Sequence, residues 1–247
     1  KLSDTNAKIR NVIIKHNYAD SEGGGIGGGG SGTPEISNVL ITNNSAGNGG
    51  GIYLEGSMSP SIINCTITGN IARSTSGGGI ACNRTSHPVV FNSILWYNSP
   101  SEIYLSAIES DYSSITVNFS NISGGQNAIT MVEGTSVDWG NDNIDAAPAF
   151  VDTASGDYHL SDLSPAIGAA TASIDIGAVT YTAPSNDLDG NPRPNPAGTV
   201  PDMGAYESDK GVDPNYAGPV WYVDGPAGLP YGNGGPGASF TTIQAGI

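Results

Sequence analysis

The chain has few of the residues that would define a disulfide-rich, membrane-spanning or nucleic-acid-binding protein. Its 247 residues include only two cysteines, Cys65 and Cys82, so disulfides cannot form the framework of the fold. The chain has 8 Lys and Arg and 23 Asp and Glu, which gives a formal net charge of −15. This charge disfavours nucleic acid as a partner, because phosphate binding needs basic residues. No apolar run is long enough to cross a membrane, and no secretory leader is evident.

Helical periodicity is also missing, and what is present favours β-structure. The apolar runs are short and rich in Ile and Val, and they are separated by turns that draw on 36 glycines. The acidic residues are concentrated in residues 131–247, which carry fifteen of the 23 Asp and Glu and two of the eight Lys and Arg. This composition predicts an all-β chain with an acidic second half.

A repeat of 26 to 28 residues runs through the first half of the chain. Its copies share an apolar–x–Asn–x–x–apolar core in the segments 9–14, 36–41, 62–67 and 90–95, with a weaker fifth copy at 117–119. A Gly triplet followed by Ile recurs at residues 23–26, 49–52 and 77–80. Self-similarity at this period predicts a solenoid in which each repeat forms one coil, because a single coil cannot bury its apolar face alone.

Stacking of these coils as a right-handed parallel β-helix predicts which side chains form columns. We expect three interior columns, formed by Ile9, Ile36, Ile62 and Val90; by Ile14, Ile41, Ile67 and Leu95; and by Ile26, Ile52 and Ile80. We expect a structural ladder of hydrogen-bonded corner asparagines, Asn11, Asn38, Asn64, Asn92 and Asn118. A second row lies six residues after the first four of these, at Asn17, Asn44, Asn70 and Asn98.

These repeats resemble the right-handed parallel β-helix proteins of bacterial surfaces, including polymorphic outer-membrane proteins with Gly-Gly-Ala-Ile repeats. The corresponding motif here is Gly-Gly-Gly-Ile, accompanied by Asn-Cys-Thr-Ile at 64–67 and Asn-Ser-Ile-Leu at 92–95. The later segments 157–160, 164–168, 187–194 and 202–207 look like the choice-of-anchor module that closes many such helices. The resemblance implies an extracellular protein that is secreted or attached to a cell surface.

Three regions follow from these patterns. Residues 1–130 are expected to form the coils, and residues 131–209 the closing module. Residues 210–247 are expected to form a linker and the opening strand of a following β-helix, which is either a tandem copy or a strand donated to a neighbouring subunit. Because no cap precedes the first repeat, we expect a piece of a longer precursor whose coil ends pair with other copies. The residues expected to mediate this assembly are Trp221, Tyr222, Val223, Phe240 and Ile243.

Candidate catalytic and metal-binding residues are few. The carboxylates of the coils are scattered at unlike points of the repeat, so no pair suited to glycoside cleavage is predicted. The three histidines, His16, His87 and His159, are isolated along the chain, which favours solvated or locally hydrogen-bonded side chains over metal or catalytic sites. Asp187, Asp189 and Asn191 alternate around Gly190, and this turn is a candidate calcium site, although the same pattern is common in ordinary turns.

The sequence therefore predicts a non-catalytic extracellular structural protein, a surface stalk or filament subunit that assembles head-to-tail with its own copies. No cofactor is required by this hypothesis, with calcium as the one candidate. The alternative is a carbohydrate-binding or carbohydrate-cleaving β-helix of the polysaccharide lyase or glycosidase kind, for which surface glycans would be the partners. Cys65 and Cys82 are expected to be buried, and a disulfide between them is left open.

Overall fold

A computed structural model of the chain describes residues 1–74 and 76–212. Within them the fold is the predicted right-handed parallel β-helix, with short strands stacked coil upon coil. The assembly residues predicted at positions 221–243 lie outside the described residues. The coils and the segment that follows them form one compact unit, Lys1–Asp213.

Two long sheets run along the solenoid. The first sheet contains Leu2–Ser3, Ile26–Gly29, Ile52–Leu54, Ile80–Cys82, Ile103–Leu105 and Thr130–Met131. The second sheet contains Lys8–Lys15, Glu35–Thr42, Ser61–Ile63, Thr66–Thr68, Val89–Phe91, Ile94–Trp96, Ser114–Asn118, Asn121–Ile122 and Ser136–Trp139. Since Thr130–Met131 and Ser136–Trp139 both pair in parallel with earlier coils, the solenoid continues beyond the boundary expected at residue 130.

Smaller elements complete the described residues. Two parallel pairs stack between neighbouring coils, Ser31–Gly32 with Ser57–Met58 and Ser45–Ala46 with Ile71–Ala72. Three antiparallel hairpins are Ala107–Ile108 with Asp111–Tyr112, Phe150–Asp152 with Asp157–Leu160, and Ser173–Ile176 with Val179–Thr182. One 3₁₀ turn spans Gln126–Ala128. No helix in the described ranges has the length and apolar character needed to cross a membrane.

The three predicted interior columns are confirmed by the strand register. Ile36 pairs with Ile9 and Ile62, and the other two columns continue from coil to coil in the same way. Ile103 extends the third column, which the sequence pattern did not predict. These side chains form one continuous core, and each fully buried Ile or Leu contributes about 1.5–3 kcal/mol relative to an exposed one.

Corner geometry explains both the asparagines and the glycines of the repeat. Asn11, Asn38, Asn64 and Asn92 bend the second sheet with positive φ angles between 48° and 53°, a conformation that Asn tolerates. At the Gly triplets the backbones of neighbouring coils lie in close contact. A Cβ added at Gly51 would stand 2.6 Å from the carbonyl oxygen of Gly79, so this position requires glycine.

The fifth corner differs from the prediction. Asn118 pairs with Phe91 and not with Asn92, so the residue equivalent to the corner asparagines is Phe119, whose φ is 46°. The predicted alignment was wrong by one residue because this coil is 27 residues long and not 26. Asn118 instead accepts a hydrogen bond from the backbone N–H of Asn141 through its side-chain oxygen, at 3.0 Å.

Both cysteines are buried and are not bonded to each other. Cys65 belongs to the inner corner of the second sheet and Cys82 to the first sheet. Burial raises the pKa of Cys65 to about 12 and also raises that of Cys82. The thiols therefore serve as small core side chains.

Residues 146–212, here called the flanking segment, lie along the outer face of the second sheet. They bury Leu40 and Ile94, which point away from the coil interior, against Tyr158, Met203 and Ala205. The predicted closing module thus covers the side of the solenoid. Its apolar residues pack across several successive coils.

Candidate functional site

The corner asparagines hold the flanking segment against the coils. The side-chain amides of Asn38, Asn64 and Asn92 each donate to backbone carbonyls of that segment, and Asn64 also reaches a second one, that of Gly204, at 3.4 Å. The accepting carbonyls belong to Asn186, Asp202 and Thr171, at 2.6, 3.1 and 2.7 Å respectively. Thr171 also donates its N–H to the side-chain oxygen of Asn92, at 3.1 Å. This row therefore acts as a docking row for the flanking segment.

The hydrogen-bonded ladder predicted for the corner asparagines is interrupted. Asn38 donates to the side-chain oxygen of Asn11 at 3.1 Å, and Asn92 to that of Asn64 at 3.3 Å. Among the described hydrogen bonds none joins the side chains of Asn38 and Asn64. The oxygen of Asn38 instead accepts from the guanidinium of Arg193, at 2.8 Å.

The continuous ladder is formed by the second asparagine row. The side-chain amides of Asn17, Asn44 and Asn70 each donate at 2.9 Å to the amide oxygen of the next asparagine, ending at Asn98. The same oxygens accept from the backbone N–H one coil earlier, at 2.9–3.0 Å. Asn98 donates from its side chain and its backbone to the carboxyl of Glu102, which ends the ladder.

A buried ion pair fixes the flanking segment to the docking row. Arg193 donates from Nε to Glu207 at 2.7 Å, and both side chains are fully enclosed. Arg193 also donates to Asn38 and to the backbone carbonyl of Gly204. The backbone N–H groups of Asn195 and Asp202 donate to the carboxyl of Glu207. Residues of the two motifs, 187–194 and 202–207, thus form one buried polar network around Arg193 and Glu207, here called the lock.

The predicted calcium residues form a hydrogen-bonded turn. Oδ1 of Asp187 accepts from the backbone N–H groups of Asp189 and Asn191, at 3.0 and 2.8 Å. Oδ2 accepts from the side chain of Asn191 at 3.2 Å and from the N–H of Glu207 at 2.9 Å. Since N–H donors use both oxygens twice, the residues present do not fit a cation. No cluster of three or more His, Cys, Asp or Glu suited to a metal occurs in residues 1–74 and 76–212.

His159 links two parts of the flanking segment. Its ring nitrogens lie 2.6 Å from Asp157 and 2.9 Å from Asp189, and its ring lies 4.0 Å from that of Tyr206 between centroids. Burial lowers the pKa of His159, but the hydrogen bonds and attraction of the two carboxylates outweigh it, so the pKa is raised. The hydrogen bond to Asp157 is local, as expected for an isolated histidine, whereas the contact with Asp189 spans thirty residues of the chain.

Two carboxyl groups have strongly raised pKa values, and neither is accessible to a substrate. Burial raises the pKa of Glu102 to about 7, although the hydrogen bonds from Asn98 oppose the shift. Burial and the Asp202 carboxylate raise the pKa of Glu207 to about 7, against the attraction of Arg193. Glu102 is 6 % exposed and Glu207 is 5 % exposed. Perturbed carboxyls often indicate catalysis, but here the ladder and the lock account for both.

The outer face of the first sheet carries two shallow depressions. Small and aromatic residues alternate there in register, as Gly27, Tyr53, Ala81 and Tyr104. One depression of about 130 Å³ lies over Gly27, and another of about 150 Å³ lies over Ala81 between the two tyrosines. Their polar lining includes Lys1, Glu22, Glu55, Asn48, Asn83 and Ser106.

The two ends of the coil stack expose the cross-section of the core. At one end Leu2, Ile9 and Ile14 are only partly buried, and Val12 is 40 % exposed. At the other end Val137 and Trp139 are partly buried, and Met131 is 44 % exposed. Lys8–Lys15 and Ser136–Trp139 each pair along their length with one named strand of the described residues. Both ends therefore combine apolar side chains with a strand edge.

Comparison with known proteins identifies the fold and gives no individual relative. Residues 2–155, more than half of the chain, match the protein family described as "Right handed beta helix region". No curated protein and no solved structure matches the chain significantly. The matched range contains all the stacked coils.

Proposed function

This chain belongs to the right-handed β-helix family, and we propose that it is a non-catalytic structural protein that assembles head-to-tail through the ends of its coils. The observation that supports this function is the partly exposed core beside the strand Ser136–Trp139, where Val137 and Trp139 are only partly buried and Met131 is 44 % exposed. Strand edges that remain open recruit further strands, and a contact between unlike ends extends into a filament. The hypothesis places the protein outside the cell, as a stalk or filament subunit, secreted or attached to the surface.

The interior chemistry supports a structural function. Among the described residues, Glu102 and Glu207 are the carboxyls whose pKa values are raised most strongly. Glu102 is hydrogen-bonded at the end of the asparagine ladder, and Glu207 is ion-paired with Arg193 in the lock. Residues 221–243 are proposed as an additional strand that pairs with a coil edge of a neighbouring copy. Trp221, Tyr222 and Val223 supply the β-prone run for such a strand, and Phe240 and Ile243 supply a second one.

Assembly is tested with the full chain by negative-stain electron microscopy and sedimentation velocity. We expect fibres or concentration-dependent oligomers, and we expect Met131→Asp to abolish them because it places a charge on the exposed end. Leu163→Asp is the matched control, since Leu163 is 85 % exposed on the flanking segment. A wild-type chain that stays monomeric at all concentrations would contradict the proposal, as would equal effects of the two substitutions.

A carbohydrate-binding function is the second candidate, and the depressions on the first sheet favour it. Tyrosine faces beside polar groups are suited to sugar rings, since they offer apolar area together with hydrogen-bonding groups. We expect Tyr104→Ala to abolish the binding of an extended polysaccharide measured by calorimetry. Tyr97→Ala is the control, because Tyr97 is 65 % exposed and does not line either depression. An absence of binding across a polysaccharide panel would remove this candidate.

A further inference from the structure

The strand that ends the second sheet in the middle of the chain has an open edge. Ser136–Trp139 pairs in parallel with Ser114–Val117 and with no second strand of the described part of the chain. The chain then bridges once more to the stack, at Ile144, and continues onto the outer face of the second sheet as the flanking segment. Unpaired N–H and C=O groups along such an edge are a template for an added strand.

Side chains along this edge alternate between the coil interior and the solvent. Val137 and Trp139 face the interior, where they pack on the core but are only partly buried. Ser136 and Asp138 face outward and are exposed. In the neighbouring first sheet, Met131 at the end of the last strand is 44 % exposed. Because side chains alternate faces along a strand, every second side chain of an added strand would cover this apolar surface.

The surroundings of the edge are acidic. Residues 130–145 contain no Lys or Arg, and their carboxylates are those of Glu133, Asp138, Asp142 and Asp145. The carboxylate of Asp138 is exposed on the outer side of the edge, and it makes no hydrogen bond or ion pair with the described residues. An added strand therefore places one outward side chain opposite an unpaired carboxylate, and opposite charges in such cross-strand pairs are stabilising.

We propose that the Ser136–Trp139 edge binds an extended strand of another protein in which apolar residues alternate with lysine or arginine. The strand adds to the second sheet about 4.8 Å from this edge and takes its affinity from backbone hydrogen bonds. Two of its apolar side chains cover Val137 and Trp139, and the basic residue between them pairs with Asp138.

This partner strand goes beyond the proposed assembly, because its source is not a second copy of the chain. A head-to-tail filament always leaves this end free on one terminal subunit, and a monomer leaves it free as well. On a filament the bound strand would cap or anchor the terminal subunit. On a monomer it would compete with further copies for the same edge.

Synthetic peptides added to the full chain test this inference. The probe is the labelled peptide Thr-Val-Lys-Val-Lys-Val-Thr, and its charge-reversed control is Thr-Val-Glu-Val-Glu-Val-Thr. Fluorescence anisotropy measures binding at low salt and at a protein concentration below that of any self-assembly. Hydrogen–deuterium exchange locates the bound strand, and we expect only the lysine peptide to protect the amides of Ser136–Trp139. Equal protection by the two peptides, or protection only elsewhere in the chain, would overturn the inference.

Asp138→Lys tests the charge that selects the strand. We expect it to weaken binding of the lysine peptide by roughly ten-fold or more, because like charges then face each other. Circular dichroism verifies folding, since this side chain is exposed. Asp20→Lys is the matched control, because Asp20 is exposed on the first coil and its side chain makes no hydrogen bond with the described residues. Equal losses in the two variants would indicate general attraction to an acidic protein and would contradict a site at Asp138.

Competition separates this inference from the proposed assembly. The full chain forms oligomers that Met131→Asp abolishes if the assembly proposal is right. If the lysine peptide then neither binds nor shortens those oligomers, the edge belongs to a second copy, so the inference fails and the assembly stands. If the peptide binds at Ser136–Trp139 while the chain stays monomeric at all concentrations, the assembly fails and the inference stands.

Discussion

Arg193 and Glu207 form an ion pair in which neither side chain is accessible to solvent. Their partners come from both the coils and the flanking segment, because Arg193 also donates to Asn38 at a distance of 155 residues along the chain. The pair therefore couples two regions that the sequence presents as separate. Four predictions follow from this contact and from the rows of asparagine and glycine around it.

Arg193→Met should lower the free energy of unfolding by about 3–5 kcal/mol, because it leaves the buried carboxyl of Glu207 without its cation. Urea denaturation followed by circular dichroism measures this change. Arg84→Met is the control, since the Arg84–Glu55 pair is partly exposed and should contribute at most about 1 kcal/mol. Equal losses in the two variants would contradict the role of the lock.

Gly204→Ala should separate the flanking segment from the sheet. Gly204 has a φ of +94°, and a Cβ there would lie 2.8 Å from both the Cδ1 of Ile94 and the Oγ1 of Thr66. Gly198→Ala is the matched control, because its φ is +87° but no atom lies within 4 Å of the added Cβ. The first substitution should cost about 1–3 kcal/mol more than the second, as overpacking does. Thermal unfolding and limited proteolysis of residues 146–212 measure the difference.

Asn70→Ala should be the most costly single break in the asparagine ladder. It removes the acceptor used by the backbone and side chain of Asn44, and also the donor to the carbonyl of Ile41. Each buried group left without a partner costs about 1–3 kcal/mol. Asn17→Ala, at the exposed end, should have a much smaller effect. Chemical denaturation of both variants measures the loss in free energy of unfolding, and similar losses in the two would argue against a cooperative ladder.

Glu102 should make stability depend on pH. Its pKa is about 7 in the folded protein and near 4.5 when unfolded, so the folded state binds more protons between these values. The free energy of unfolding contributed by this group therefore falls as pH rises from about 4.5 to 7.

Glu102→Gln removes this titration and should flatten the profile. Unfolding curves for wild type and variant at pH 5 and pH 8 provide the test. Because the pKa of Glu207 is also raised to about 7 and Glu207 is present in both proteins, the difference between the two profiles isolates Glu102. Parallel profiles would show that Glu102 does not titrate in this range.

The coil interior was predictable because the repeat constrains it. In a stack of equal coils an apolar residue must face its equivalent, so the spacing alone placed Ile36 between Ile9 and Ile62. The alignment failed at Asn118, where the residue type matched the repeat but the coil length did not. Only the backbone register shows that Phe119, and not Asn118, occupies the corner position.

The function of the docking row was not predictable in the same way. Asn38 and Asn64 bind backbone carbonyls 148 and 138 residues further along the chain, and a carbonyl has no signature in the sequence. One signal for the lock was present. Arg193 is one of two basic residues among the fifteen acidic ones of residues 131–247, which indicates an ion pair, but neither its burial nor its partner Glu207 can be read from the sequence.

The flanking segment also determines how the solenoid resists tension. Backbone hydrogen bonds between coils act in series along the axis, so a pulling force could open the weakest junction first. The carbonyls held by Asn38, Asn64, Asn92 and Asn121 belong to one continuous stretch of chain that spans four successive coils. Because that stretch is hydrogen-bonded to each of the four coils, it bears force in parallel with the hydrogen bonds between the coils. These four coils must therefore separate from the flanking segment before they can separate from one another.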